Sequence, residues 1–188
     1  MPTSVAISGA LATGIAGDGI PVDRVDFSIA PLGRVSIVTT GEEPLVGSAI
    51  VNSNGILGGL VRFEIPGIGI AGVQFSPQMD GFIVPVRSEN GIDTDVAFMN
   101  PSEEKVDLEL SLLDSFGDPM GGDESTISVP PRGHLARLIT ELFEGVQVPF
   151  VGSLVARVLN GRIAAVAVEL GSQPGEFTTL AVTPLQEN

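Results

Sequence analysis

The chain contains no cysteine, tryptophan or tyrosine, and only one histidine and one lysine. Each absence closes a line of chemistry. Without thiols there are no disulfides, no thiolate metal sites and no cysteine nucleophile. A single imidazole, His134, cannot build a histidine-based zinc site. Without Trp or Tyr, the surface lacks the amphipathic rings that stack on sugars and anchor protein hot spots. The aromatic residues are nine Phe, and Phe75, Phe98, Phe116 and Phe177 are expected in the core. Nine basic residues against 23 acidic ones leave a formal charge of −14. Nucleic acid and anionic membrane surfaces are therefore not expected as partners, because both need basic clusters. No apolar run is long enough for a membrane-spanning helix, so no membrane insertion is expected. The N-terminus, Met-Pro-Thr-Ser-Val-Ala, lacks the positive region of a secretory signal. It reads either as an intracellular start or as a mature fragment behind an added Met1.

What the chain does have is a repeat. Phe27-Ser-Ile-Ala-Pro-Leu-Gly33 stands beside Ile127-Ser-Val-Pro-Pro-Arg-Gly133. Gly17-Asp18 matches Gly117-Asp118, Val46–Val51 matches Val151–Ala156, and Gly55–Leu60 matches Gly161–Val166. Each half ends on an apolar strand with a proline, at Val84-Pro85-Val86 and Val182-Thr183-Pro184. A period near one hundred residues is too long for a solenoid unit and suits tandem small domains. The expected copies are residues 1–88 and 89–188. The polar stretch 86–92, with its Asn-Gly, is expected to be the linker.

Period-two alternation dominates. Val106, Leu108, Leu110 and Leu112 alternate with Asp107, Glu109 and Ser111, which reads as a half-buried strand. Similar strands are expected at Asp26–Ile29, Arg34–Thr39, Ser48–Val51, Gly59–Glu64, Gly81–Val86, Asp95–Met99, Ser125–Val129, Ser153–Val158, Ile163–Glu169 and Phe177–Val182. Glycine, proline, asparagine or aspartate separates them. The fold expected is mainly β: two tandem immunoglobulin-like β-sandwich domains. One short helix is expected near 135–144 in the second, because Leu135, Leu138, Ile139, Leu142 and Phe143 fall on one helical face and Gly145 follows. The second copy also has an extra strand, Gly91–Pro101, before the shared pattern. The first copy is thus expected to lack an edge strand, supplied by a neighbouring molecule, an upstream domain or the Met1–Ser4 arm; the alternative is that the given stretch simply starts after that strand.

Motifs for catalysis are sparse. Gly67-Ile-Gly-Ile-Ala-Gly72 matches the dinucleotide fingerprint. The following Val73–Pro77 is not the helix whose N-terminus would hold a pyrophosphate, so no nucleotide is expected. His134 has no G-x-S-x-G elbow to serve, and no enzyme is expected. The carboxylates are the remaining reservoir of chemistry. Asp114, Asp118, Asp123 and Glu124 share a Gly-rich loop, Asp93 and Asp95 form D-x-D, and Asp18, Asp23 and Asp26 occupy the matching loop of the first half. Calcium takes six to eight oxygens from such loops, so Asp114, Asp118, Asp123, Asp93 and Asp95 are calcium candidates; solvated turns explain the same residues. No other cofactor is expected.

Several stretches carry a resemblance. They are Phe63–Val73, Phe82–Arg87, Gly91–Asn100, Leu112–Gly117, the Pro-Pro-x-Gly-His-Leu-Ala run with Glu-Leu-Phe, and Phe177–Val182. Residues from about 41 to 184 resemble a recurrent, poorly characterised immunoglobulin-like module of bacterial secreted and cell-surface proteins. The resemblance implies an extracellular or cell-surface location, a mature fragment without signal peptide, and self-association or pairing with other surface proteins. It implies a spacer, adhesive or filament subunit and supplies no catalytic residues. The alternative reading is a ligand-binding module for glycan or calcium.

Overall fold

A computed structural model describes residues 3–9, 24–37, 47–65, 69–120, 125–173 and 175–186. The fold is mainly β, its strand pairs antiparallel, with one short helix. Two compact units divide the chain, Met1–Gly58 and Gly59–Asn188.

Unit 1 is a three-stranded sheet of β1 (Thr3–Gly9), β2 (Arg24–Phe27) and β3 (Gly47–Asn52), in the order β2-β1-β3. Thr3 and Ser4, assigned above to an edge-donating arm, are instead in the central strand; Ser4 faces Asp26 on one side and Asn52 on the other. Ser4 is thus paired on both sides, Thr3 on one, and Met1 and Pro2 of that arm lie outside the described residues. Among the described side chains of this unit none is buried, and Leu32 and Ile56 are fully exposed. Residues 34–37 of the expected strand Arg34–Thr39 are not in a strand.

Unit 2 begins with a hairpin of β4 (Leu60–Ile65) and β5 (Gly69–Gln74). The G-x-G-x-x-G stretch thus runs into a strand, where no helix dipole is available. A nine-stranded sheet follows, built of β6 (Gly81–Glu89), β7 (Ile92–Met99), β8 (Val106–Asp114), β9 (Ser125–Val129), β10 (His134–Leu138), β11 (Phe150–Val158), β12 (Ala164–Leu170), β13 (Phe177–Leu180) and β14 (Thr183–Pro184). Its order is β13-β12-β7-β6-β11-β8-β9, with β10 on β7 and β14 on β6. Strands β6 and β7 pair only at Ser88–Asp93 and Glu89–Ile92. That narrow seam joins one group of strands, β14, β6, β11, β8 and β9, to another, β13, β12, β7 and β10.

Both groups feed one core. Phe82, Val84 and Val86 of β6, Leu108, Leu110 and Leu112 of β8, and Leu154 and Ala156 of β11 meet Val96 and Phe98 of β7 and Ala165 and Ala167 of β12. The rings of Phe82 and Phe98 lie 6.0 Å apart in a tilted arrangement. The period-two alternation predicts this set, since alternate side chains leave opposite faces. Burying each large side chain stabilises the fold by about 1.5–3 kcal/mol. Of the Phe expected in the core, Phe98 is there; Phe116 is exposed at a turn tip, and Phe75 is partly exposed.

Two further expectations are corrected. The proposed linker 86–92 is the β6–β7 hairpin, turned by Asn90 (φ 52°) and Gly91 (φ 78°). Left-handed residues at both central positions match the right-handed twist of the strands, and Asn-Gly is the pair that adopts them most readily. The compact units divide instead at Gly58 and Gly59. The expected helix 135–144 shrinks to α1, Ile139–Leu142, because His134–Leu138 pairs along β7 from Met99 to Asp95. Pairing on that edge overrides a helical period in which Leu135 and Leu138 merely fit. Ile139, Leu142 and Phe143 are buried as a lid on the core.

The repeat reappears in the pairing. Under the sequence match Phe27 aligns with Ile127, whose partners are Thr3 and Leu108. Val51 aligns with Ala156, whose partners are Val5 and Leu110. Both registers therefore place β1 on β8 at one common offset, and β2-β1-β3 repeats β9-β8-β11. The turns agree too. Gly33 N donates to Ala30 O at 2.8 Å and Gly133 N to Pro130 O at 3.0 Å, with Leu32 (φ 61°) and Arg132 (φ 54°) left-handed. Non-glycine residues seldom adopt that region, so its recurrence at matched positions is specific. At both glycines a Cβ would crowd the residue three before it, at 2.8 Å from Ala30 O and 2.6 Å from Pro130 Cγ. Hairpin β4–β5 likewise repeats β12–β13: Val61 pairs with Val73 as Ala167 does with Leu180. Carried onward, Ser76-Pro77 aligns with Thr183-Pro184, rather than Val84-Pro85-Val86.

Candidate functional site

Strand β7 carries the D-x-D pair on the face away from the core. Asp93 Oδ1 accepts from Thr94 N at 2.8 Å, and its Oδ2 accepts from Thr140 Oγ1 of α1 at 3.1 Å. Asp95 stands in register with Leu138 on one side and Val168 on the other, so its neighbours across both strand pairs are apolar. Its Oδ1 is buried and has no hydrogen-bond partner. Desolvation pushes its carboxyl above the usual carboxylate range, and Glu141 adds to the rise; Arg137 opposes it. Glu141 is itself engaged at the start of α1, where its Oε2 accepts from Leu138 N at 3.2 Å.

Asp114 and Asp118 are brought together, but as parts of one turn. Asp114 Oδ1 accepts from Phe116 N at 2.8 Å and Asp118 N at 2.9 Å, while Asp114 N donates to Asp118 O. The carboxylate closes the turn, as a short acidic side chain at a strand end readily does. Asp123 and Glu124 lie outside the described residues, as do Asp18 and Asp23. Among the described residues no three carboxylate or imidazole groups gather where they could hold a metal ion. His134 opens β10 opposite Met99.

Three polar residues that alternation alone did not single out hold unit 2 together. Asn100 is fully buried. Its Nδ2 donates to the carbonyls of Glu104, Val129 and Pro130 at 2.6–3.1 Å, and its Oδ1 accepts from Ser102 N and Oγ. Asn100 N also donates to Gly133 O, so the loop after β7 is laced to the repeated turn. Buried Thr94 accepts from Arg87 N and donates to Arg87 O. Arg87 in turn grips Glu169 of β12 with two hydrogen bonds of 2.8 and 2.7 Å, the planar fork that arginine offers a carboxylate. A polar residue ending an apolar strand, such as Asn100 after Met99, is the available sequence signal.

The remaining feature is an edge. In unit 2, β11 pairs with β8 on one side and β6 on the other. Its counterpart β3 pairs, among the described residues, with β1 alone. An open edge presents backbone donors and acceptors to any strand in reach. Comparison with known proteins found no matching protein-family model, curated protein or solved structure.

Proposed function

We propose that the chain is a non-catalytic structural module of an extracellular or bacterial cell-surface protein, a spacer, adhesive or filament subunit built of immunoglobulin-like sandwiches. On this reading the two strand groups of unit 2 are the layers of one sandwich, and unit 1 with the β4–β5 hairpin is a partial copy. Assembly runs through strand pairing at sheet edges. The observation that carries the reading is that β3 is paired on one side only among the described residues, whereas its counterpart β11 is paired on both. The duplicated chain path supports it, since copying a β-unit extends a surface array without adding chemistry. Size-exclusion chromatography with light scattering, followed by negative-stain microscopy, tests it. Concentration-dependent oligomers or fibres are expected. A strict monomer at every concentration, or turnover on a hydrolase panel, overturns it.

A further inference from the structure

An asparagine followed by glycine can be attacked by its own backbone, because glycine has no Cβ to shield its amide nitrogen. The chain holds three such pairs, Asn54-Gly55, Asn90-Gly91 and Asn160-Gly161. Two of them stand at matched places of the repeat, where Gly55 and Gly161 open the corresponding stretches Gly55–Leu60 and Gly161–Val166. All three asparagines are exposed, so exposure does not separate them. Their surroundings do.

Asn160 is held at both ends of its amide. Its Oδ1 accepts from Asp107 N at 2.7 Å, and its Nδ2 donates to Lys105 O at 2.9 Å, which ties the turn after β11 to the start of β8. Gly161 is left-handed (φ 79°), and a Cβ there would meet Val106 Cγ2 at 3.1 Å. Asn90 and Gly91 form the two-residue turn between β6 and β7, both left-handed and closed by the pair Glu89–Ile92. A backbone fixed in that turn directs the glycine nitrogen away from the asparagine side chain. Asn54 has neither restraint. It lies past the end of β3, in the stretch before β4, and its side chain hydrogen-bonds to no described residue. Gly55 N donates to the exposed Ser53 hydroxyl at 3.2 Å, which leaves its proton beside solvent. A Cβ at Gly55 would meet nothing within 4 Å. The repeat supplies a reason for the missing lock. The register that sets Thr3 on Leu108 sets Pro2 on Asp107, and a proline has no N–H to give.

We propose that Asn54 is a self-modifying site, converted by the chain's own backbone and water. Gly55 N gives its proton to solvent and bonds to Asn54 Cγ. The bond from Cγ to Nδ2 breaks, and the side-chain nitrogen takes up a proton and leaves as ammonia. Water then opens the cyclic imide at either carbonyl, giving aspartate or its isoaspartyl isomer. The sum is amide plus water to carboxylic acid plus ammonia, with no change of oxidation state. The product adds negative charge to a chain already at −14, and the isoaspartyl form lengthens the backbone by a methylene. Both changes fall after the last residue of β3 and just before Gly58 and Gly59, where the two compact units divide. No strand ladder has to break to accommodate them. The site is independent of the structural role proposed above.

The test incubates the full chain at mildly alkaline pH in water enriched in heavy oxygen. Peptide mass spectrometry follows each asparagine, and chromatography resolves isoaspartate from aspartate. Asn54 is expected to convert first, taking up heavy oxygen and yielding both isomers. Two hydrogen bonds on its amide should slow Asn160 by about ten- to a hundredfold relative to Asn54. Asn90 is expected to lag as well. In denaturant the three rates should converge, because the fold is what keeps them apart. Gly55→Ala is expected to slow Asn54 severalfold without displacing any neighbour, since the added methyl shields the attacking nitrogen. Conversion of Asn90 or Asn160 as fast as Asn54 in the folded chain overturns the proposal. So does an Asn54 that converts only in denaturant, or at a rate that Gly55→Ala leaves untouched. An order of rates that persists in denaturant also overturns it, because the difference would then lie in the neighbouring residues and not in the fold.

Discussion

Strands β3 and β11 share a Gly-Ser pair followed by an apolar run, yet they stand in different company. Strand β11 lies between two neighbours, and its Leu154 and Ala156 are fully buried. Strand β3 has one neighbour among the described residues, and Val51, matching Ala156, is only half-buried. The difference teaches that the local sequence of a strand sets its path and pairing register, whereas burial comes from the layer placed over it. A three-stranded sheet with a covering layer is a domain; without one it is close to the limit of independent stability.

The comparison breaks most visibly at the core. Phe82→Ala is expected to destabilise unit 2 by about 3–5 kcal/mol, while Val51→Ala in unit 1 costs under about 1 kcal/mol. Chemical denaturation of each variant measures both; equal costs would erase the contrast. Asn100→Ala comes next, at about 2–4 kcal/mol, because it strands buried carbonyls and frees the turn at Gly133. Native-state hydrogen exchange sharpens the contrast without mutation. Amides of Ala49–Asn52 are expected to exchange about a hundredfold faster than those of Leu154–Ala156, in line with unequal local stability.

The pH profile gives a smaller effect. The Asp95 pKa is raised in the folded state, so its contribution to stability is full below the ordinary carboxylate range and is lost as pH rises through the raised value. Glu103 and Asp107 run the other way. Hydrogen bonds from Arg132 and Lys105 respectively hold them below their ordinary values, so their contribution is present above that range and lost on acidification. Asp95→Asn is therefore expected to raise the melting temperature at neutral pH and to remove the decline on the alkaline side of the carboxylate range. Unchanged curvature would exclude Asp95 as its source. Smallest is calcium. With Asp114 closing its own turn, addition of calcium or a chelator is expected to leave the melting temperature unchanged; a saturable rise would restore Asp114 and Asp118 as ligands.

Much of this was legible in the residues. The alternation at Val106–Leu112 named the buried face of β8, and the match of Phe27–Gly33 to Ile127–Gly133 marked two stretches whose turns share a left-handed residue. Other features were not, for identifiable reasons. Asn90-Gly91 suits a linker or a hairpin, and long-range pairing with β11 decides between them. Leu135 and Leu138 fit a helical period by spacing, but the open edge of β7 claimed them. Asn100 looks like any turn asparagine until Val129 and Pro130 arrive from far along the chain. The D-x-D spacing found two neighbouring carboxylates but could not reveal that Asp95 stands between Leu138 and Val168.

The left-handed corner shared by Leu32 and Arg132 separates backbone from side chain. Both bends have the same handedness, yet one presents an aliphatic side chain to solvent and the other a guanidinium paired with Glu103. The chain path at such a bend leaves the residue at its tip open to quite different chemistry.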